Sequence, residues 1–256
     1  MKPKIRLNRQ KLEVRKGKDY AEVLFLGDVH LGHPQAWVDK AKEFLDYCLK
    51  EKVYVFFMGD MMESGLTTSV GDSVYQQKLN PQEQMEAVID LISPVCRAKL
   101  CLGYLGGNHE YRIKKQTGID VAKIIAKDVG VPYLRYACWN LWYVGNQSYS
   151  LYTFHGKSGS RFIHTKIKAA MDIAHYFVGD AVVMAHVHDL GSEAQERQFV
   201  DRVKKSVVVR KQYVVLSGHY VGYDGSYAQE AGYPPSKLGS PKVLFNGRRH
   251  DLHVSL

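Results

Sequence analysis

A chain of 256 residues with 45% hydrophobic and 24% charged residues has the composition of a soluble globular protein and enough apolar material for a sizeable core. No apolar run approaches the roughly 20 residues of a membrane helix. The basic N-terminus (Lys2, Lys4, Arg6, Arg9, Lys11) also lacks the apolar stretch and cleavage site of a signal peptide, so a cytoplasmic location with no membrane association is expected. The net charge of +9, from 35 Lys plus Arg against 26 Asp plus Glu, suits a polyanionic substrate without identifying one.

Apolar runs bounded by Gly or polar residues predict strands at Glu22–Leu26, Tyr54–Met58, Leu100–Leu105, Tyr149–Phe154, Ala181–Ala185 and Val207–Leu216. Between the first two, Trp37, Val38, Ala41, Phe44, Leu45, Cys48 and Leu49 recur at helical spacing. The segment after Asn80 carries a helix start, with Asn80 as N-cap, Pro81 at the first position and Glu83 placed to reach back. Further helices are expected at Ile119–Val129 and Phe162–Phe177. The loop Met61–Leu79 is long and polar, with Ser64, Gly65, Thr67, Thr68, Ser69 and Gly71, a length often tied to function. Four scattered cysteines (Cys48, Cys96, Cys101, Cys138) lack metal-ligand spacing and read as buried reduced thiols. No repeat or Pro/Gly/Ser-rich linker divides the chain, so residues 1–256 are expected to form one domain of α/β layers around sheets.

Five short clusters begin where predicted strands end: Leu26-Gly27-Asp28-Val29-His30, Gly59-Asp60-Met61-Met62-Glu63, Gly107-Asn108-His109-Glu110, Phe154-His155-Gly156 and Ala185-His186-Val187-His188-Asp189. The carboxyl ends of strands are where sites assemble in layered α/β folds. Imidazole and carboxylate together suit Mn²⁺, Fe and Zn²⁺, and Asn adds a neutral oxygen. Residues i and i+2 of an extended segment share a side, so Asp28 and His30 can share one ion, as can His186 and His188 unless the chain bends between them. Each cluster alone has an ordinary reading, such as a turn Gly-Asp or a structural histidine. Their conjunction does not, because His30, His33, His109, His155, His186 and His188, six of the eleven histidines, fall within or beside them.

The ordered series resembles the calcineurin-like metallophosphoesterases, whose motifs read D-x-H, G-D-x-x-D/E, G-N-H-D/E, an isolated H and G-H-x-H. Two departures stand out: Ala185 replaces the usual glycine before His186, and Glu63 stands where Asp is commoner. The resemblance implies a four-layer αββα sandwich with two mixed β-sheets flanked by helices. The C-terminal third, about residues 190–256, would complete the second sheet and supply substrate-side loops. It implies one divalent ion held by Asp28, His30, Asp60 and His188, and a second held by Asp60 as a bridge with Asn108, His155 and His186. Ions about 3.5–4 Å apart would share a hydroxide and clamp the phosphoryl oxygens. Mn²⁺ is the first expectation, with Fe and Zn²⁺ suited by the same ligands. His109, beside Asn108, would neutralise the substrate or protonate the leaving oxygen, the catalytic role. Arg112 and His33 are candidates for substrate binding. Arg112 can contact phosphate bidentately or, equally, form a surface ion pair with Glu110 or another acid.

Three readings of the substrate compete. A nuclease or other phosphodiesterase acting on nucleic acid draws support from the net charge and the basic stretches Arg112–Lys115 and Arg202–Lys211. Tyr213, Tyr220, Tyr223, Tyr227 and Tyr233, with His219, add rings able to stack on bases or simply to pack loops. Asp28-Val29-His30-Leu31-Gly32 also resembles repair exonucleases of this fold, and Tyr227–Pro241 resembles phage and prophage members. A small-molecule phosphatase, cyclic-nucleotide phosphodiesterase or pyrophosphatase would need a narrow pocket, where a nuclease needs an open basic groove. A non-catalytic scaffold should have lost ligands, and here the set is whole. A protein partner or homo-oligomer is left open.

Overall fold

The computed structural model describes residues 7–69, 73–157 and 159–256. Lys2, Lys4 and Arg6 of the basic N-terminus and Gly71 of the polar loop lie outside them. In chain order the elements are β1 (Leu7–Leu12), β2 (Tyr20–Leu26), α1 (Val38–Glu51), β3 (Tyr54–Phe57), α2 (Ser73–Gln76), α3 (Pro81–Arg97), β4 (Cys101–Tyr104), α4 (Asn108–Thr117) and α5 (Val121–Asp128). There follow β5 (Ala137–Val144), β6 (Gln147–Phe154), α6 (Ile163–Tyr176), β7 (Ala181–Met184), β8 (Leu190–Asp201), β9 (Ser206–Ser217), α7 (Tyr227–Glu230), β10 (Lys242–Asn246) and β11 (Leu252–Ser255).

Two mixed sheets form, ordered β1-β5-β6-β7-β9-β8 and β11-β10-β2-β3-β4. Side-chain alternation along β2 explains how the layers stack. Val23 and Phe25 point to one face and join Phe56, Trp142, Leu151, Val183, Val215 and Phe245 in a cluster between the sheets. Leu24 and Leu26 point the other way, against Ala41 and Leu45 of α1, Val88 and Ile92 of α3 and Ile125 of α5. On the outer face of the other sheet, Ala170 and Ala174 of α6 cover Val182, Met184, Val214 and Leu216. The order helices, sheet, sheet, helix is the expected four-layer sandwich. Burying each of the inner phenylalanines stabilises it by about 1.5–3 kcal/mol.

Local signals hold where they were strong. Asn80 Oδ1 accepts from the amides of Gln82 and Glu83, and Glu83 Oε2 accepts from the Asn80 amide, so α3 starts with a complete capping box. Cys48, Cys96 and Cys138 are buried. The polar loop after Met61 begins inside the protein, with Met61, Met62, Glu63 and Ser64 buried at its start. Gln84 of α3 holds it there, accepting from the Ser64 amide at 2.8 Å. Residues 190–256 feed both sheets, β8 and β9 extending one and β10 and β11 the other. Among the described residues no helix is long and apolar enough to cross a membrane.

Parallel pairing decides where the site lies. In one sheet β2, β3 and β4 run parallel, and in the other β6, β7 and β9 do. Their carboxyl ends therefore emerge together, each followed by one of the clusters or, for β9, by His219.

Candidate metal centre

Beyond their strands, the chain segments stay paired. The amides of Asp28 and His30 donate to the carbonyls of Gly59 and Asp60, so the first two clusters continue side by side. Asp28, His30, Asp60, His186 and His188 all have φ between 49° and 70°, the left-handed region that non-glycine residues rarely adopt. Such backbone costs on the order of 1–3 kcal/mol per residue and persists only where surrounding contacts impose it. The motif glycines permit the close approach. A Cβ on Gly59, itself at φ +91°, would meet the Gly107 nitrogen at 2.7 Å, and a Cβ on Gly107 would collide with the Asp60 carboxylate. Ala185, by contrast, keeps an ordinary φ and packs in the inter-sheet core, so its methyl group is accommodated where glycine is usual.

The delivered side chains meet in two adjoining groups, and His109 joins His30 and Asp60 in a third set that overlaps both. Asp28, His30 and His188 bring ligand atoms within 4.8 Å of one another, as do Asp60, His155 and His186. In the first group His30 Nε2 lies 3.0 Å from His188 Nε2, and Asp28 Oδ1 lies 3.9 Å and 3.5 Å from those nitrogens. Among the described residues this fully buried Asp28 oxygen has no hydrogen-bond partner. In the second, Asn108 Oδ1 is 2.9 Å from His155 Nε2 and 2.6 Å from His186 Nδ1, and Asp60 Oδ2 is 3.1 Å from His155 Nε2. Asp60 Oδ2 also lies 4.0 Å from His30 Nε2, so this carboxylate stands between the groups. An orphaned buried carboxylate oxygen, facing imidazole nitrogens crowded against each other, is the environment a divalent cation satisfies. The donor set fits two such ions.

Neighbouring groups set the orientation of these rings. His155 donates from Nδ1 to the Met58 carbonyl at 2.9 Å, which leaves Nε2 to face the centre, and His30 Nδ1 is 2.9 Å from Glu63 Oε2. Burial pulls the His30 imidazole down, but Asp28 and Glu63 carry it up to about 10. Burial likewise opposes ionisation of Glu63, yet His30 holds its carboxyl down at about 2. Asp28 and Asp60 also sit below the usual carboxylate range, against burial, because imidazoles surround them. Carboxylates and imidazoles thus hold each other in their charged forms, a compensation that a divalent cation would take over from the imidazole protons.

Glu110 has a role that the motif alone does not reveal. Buried at the start of α4, it accepts from the amides of Asp60 at 3.1 Å, Met61 at 2.7 Å and Gly107 at 2.9 Å, locking the Asp60 turn to the Asn108 turn. Burial and the nearby Asp60 charge push its carboxyl up to about 7. Glu110→Ala would leave these buried amides without acceptors, at about 1–3 kcal/mol each. The expected loss of stability is about 3 kcal/mol or more in urea unfolding; a loss under about 1 kcal/mol would show that water or a shifted backbone replaces the carboxylate.

The other expected site residues divide. His109 lies beside the second cluster, its Nδ1 2.6 Å from the Glu63 carbonyl and its Nε2 3.9 Å from Asp60 Oδ2. Arg112 turns inward, its Nη2 3.0 Å from His109 Nε2 and its Nη1 3.8 Å from Glu63 Oε1. Its acidic neighbour is therefore Glu63, while Glu110 is occupied by backbone amides. His33 is buried, its Nδ1 accepting from the Gln35 amide, and burial pulls its imidazole down to about 4. The basic stretch Arg202–Lys211 covers the β8–β9 turn and the first half of β9. At about 3.3 Å per residue it lies roughly 20–40 Å along that strand from the centre.

Depressions flank the centre on both sides. On the Asn108 side a groove of about 770 Å³ is lined by Tyr111, Lys114, Lys123, Arg135, Tyr136 and Lys157, among others. On the His186 and His188 side lies a pocket of about 400 Å³, bounded by Lys166, His219, Tyr223, Tyr233 and Ser236. Tyr220 is packing, fully buried with its hydroxyl 2.8 Å from Ser240 Oγ, whereas Tyr223 and Tyr233 line the pocket. The Tyr227 side chain lies outside what the structure describes. Sequence reasoning missed Lys166, which is buried and 3.0 Å from Asp189 Oδ2. A lysine on the covered face of a predicted helix was the available signal.

The calcineurin-like phosphoesterase family model matches residues 21–227. No curated protein matches the chain in sequence. Among solved structures, a predicted phosphoesterase of Streptococcus pneumoniae is similar at 11% identity and TM-score 0.41, covering 93% of this chain and 90% of its own. A single mutant of Vps29 from Entamoeba histolytica is similar at 14% identity and TM-score 0.41, covering 91% and 97%. Wild-type Vps29 of that organism complexed with Zn²⁺ is similar at 13% identity and TM-score 0.38, with 91% and 97% covered. The family rests on the sequence match.

Proposed function

This chain belongs to the calcineurin-like phosphoesterase family, and from that premise we propose that it is a metal-dependent phosphodiesterase acting on nucleic acid. Asp28, His30, Asp60 and His188 would hold one divalent ion and Asp60, Asn108, His155 and His186 the other. When bound, Mn²⁺, or Fe or Zn²⁺, would supply Lewis-acid stabilisation of a phosphoryl group and activation of water.

The protein's own groups prepare this centre. The His109 amide donates to Asp60 Oδ1 at 2.8 Å, fixing the carboxylate between the groups. The His186 amide donates to Asp28 Oδ2 at 2.9 Å and ties the two sheets together there. Arg112 presents guanidinium donors beside His109, where a phosphate oxygen would be met bidentately.

The observation that carries the substrate reading is the open groove abutting Asn108. Its exposed Lys123, Arg135 and Lys157 can neutralise successive phosphates, and Tyr111 and Tyr136 are 55% and 40% exposed for stacking. Cleavage of single-stranded DNA should therefore weaken steeply with salt, at roughly 0.7 log units per log unit for each phosphate contact. Reversing charge at Arg135 and Lys157 together should lower that slope by about 1.4. An unchanged slope would remove the groove from the reaction. The smaller pocket beside His186 and His188 favours a second reading, a small nucleotide ester as substrate. Activity indifferent to salt and confined to such an ester would establish that reading instead.

A further inference from the structure

Charge is divided unequally between the depressions. The Asn108 side carries exposed cations, whereas among the described residues the cations at the smaller pocket are Lys166, already paired with Asp189 at 3.0 Å, and Arg161, placed over the ring of Tyr233. The pocket floor is formed by stacked imidazoles. His188 and His219 stack with ring centroids 5.1 Å apart and planes 11° apart. Ser236 Oγ lies 2.7 Å from His219 Nε2 and donates to the His188 carbonyl at 2.8 Å, so this histidine and hydroxyl satisfy each other. The walls are the half-buried Tyr223 and Tyr233, and the Arg161 guanidinium caps the Tyr233 ring at 5.3 Å. The enclosing segment is held down by backbone bonds from Ser226 to Tyr223, Tyr233 to Ala228 and Gly239 to His219. A phosphate would find Lys166 already compensated by Asp189, whereas a planar group would meet the Tyr223 and Tyr233 rings beside the imidazoles.

Building on the phosphodiesterase reading, we propose that this pocket receives the nucleoside attached to the scissile phosphate, with Tyr233 and the His188–His219 stack as its base-binding surfaces. Its volume of about 400 Å³ sits near the small end of the roughly 300–1,000 Å³ typical of small-ligand pockets, which suits one nucleoside. An ammonium has three N–H donors, so Lys166 can bond Asp189 and still offer one to a sugar or base oxygen. The nucleoside can come from the end of a strand or from a free nucleotide ester, and the chemistry recognised is the same.

The test compares kcat/KM for the p-nitrophenyl ester of thymidine 5′-monophosphate with that for bis-p-nitrophenyl phosphate, on the metal-loaded full chain. The nucleoside ester should be preferred by about tenfold or more. Tyr233→Ala should reduce that preference about tenfold, in line with the loss of one base stack, and Tyr233→Phe should restore it. No preference in the wild type, or a preference untouched by Tyr233→Ala, overturns the proposal. Turnover of neither ester removes the phosphodiesterase reading and the pocket with it. Competitors identify the source: inhibition by a linear oligonucleotide but not by a circular one points to a strand end. Inhibition by thymidine monophosphate alone points to a free nucleotide. Equal inhibition by linear and circular strands, or by none of the three, contradicts a single-nucleoside pocket.

Discussion

Replacing Asp60 with asparagine should lower metal-dependent phosphodiester hydrolysis about a thousandfold or more while leaving the protein folded. Asp60 offers a carboxylate oxygen to the imidazoles of both ligand groups, 3.1 Å from His155 Nε2 and 4.0 Å from His30 Nε2. The asparagine carbonyl can still accept from the His109 amide, so the turn survives. Its amide end, however, places N–H donors where a cation needs an anion, and one formal charge is lost from the bridge. Metal stabilisation of a phosphoryl transition state is worth several kcal/mol, and each 1.36 kcal/mol is tenfold in rate. The rate should be read with metal in excess, beside circular dichroism. A folded variant retaining more than about a tenth of the wild-type rate would exclude a bridging role for Asp60.

The second large effect belongs to His109. His109→Ala should retain metal but lose about 10²–10⁴-fold in rate, the usual scale of general acid–base catalysis. Burial pulls the imidazole down to about 3, although Asp60 and Glu63 oppose the shift. With Nδ1 donating to the Glu63 carbonyl and Nε2 accepting from Arg112, the ring is poised neutral. The negative charge of a bound ester is what would favour the charged form that donates to a leaving oxygen. The loss should therefore be larger for an alkyl leaving group than for p-nitrophenolate, which departs without a proton. A variant that cleaves the alkyl ester at the full rate would leave His109 with electrostatic positioning alone.

The motifs were legible because they sit at the ends of strands whose apolar runs are unmistakable, such as Tyr20–Leu26 and Ala181–Met184. Parallel pairing then carries them to one edge. Five strands were not read from the sequence: β1, β5, β8, β10 and β11. The sequences of β1 and β8, LNRQKL and LGSEAQERQFVD, are polar on faces that remain largely exposed, so the alternation that marks a half-buried strand is missing. β8 is held by twelve register pairs with β9 rather than by its own pattern. Helix α4 was hidden because its first residues are the Asn108-His109-Glu110 motif itself, and only the Glu110 contacts reveal that the motif is also a helix start. The smaller pocket depends on residues from three distant segments, Lys166, His188 and the stretch from His219 to Ser236. No spacing in the sequence announces that meeting, and a buried lysine opposite Asp189 becomes meaningful only when the sheet has formed.

The central claim is that two ions act together at this centre, and the direct measurement is activity against bound metal. Metal-stripped protein would be titrated with Mn²⁺, with bound ions per chain counted by equilibrium dialysis and bis-p-nitrophenyl phosphate hydrolysis followed in the same samples. Saturation should come at two ions per chain, with most of the rate appearing as the second binds. Full activity with one ion bound, or two ions bound with no hydrolysis of this ester or of DNA, would contradict that claim.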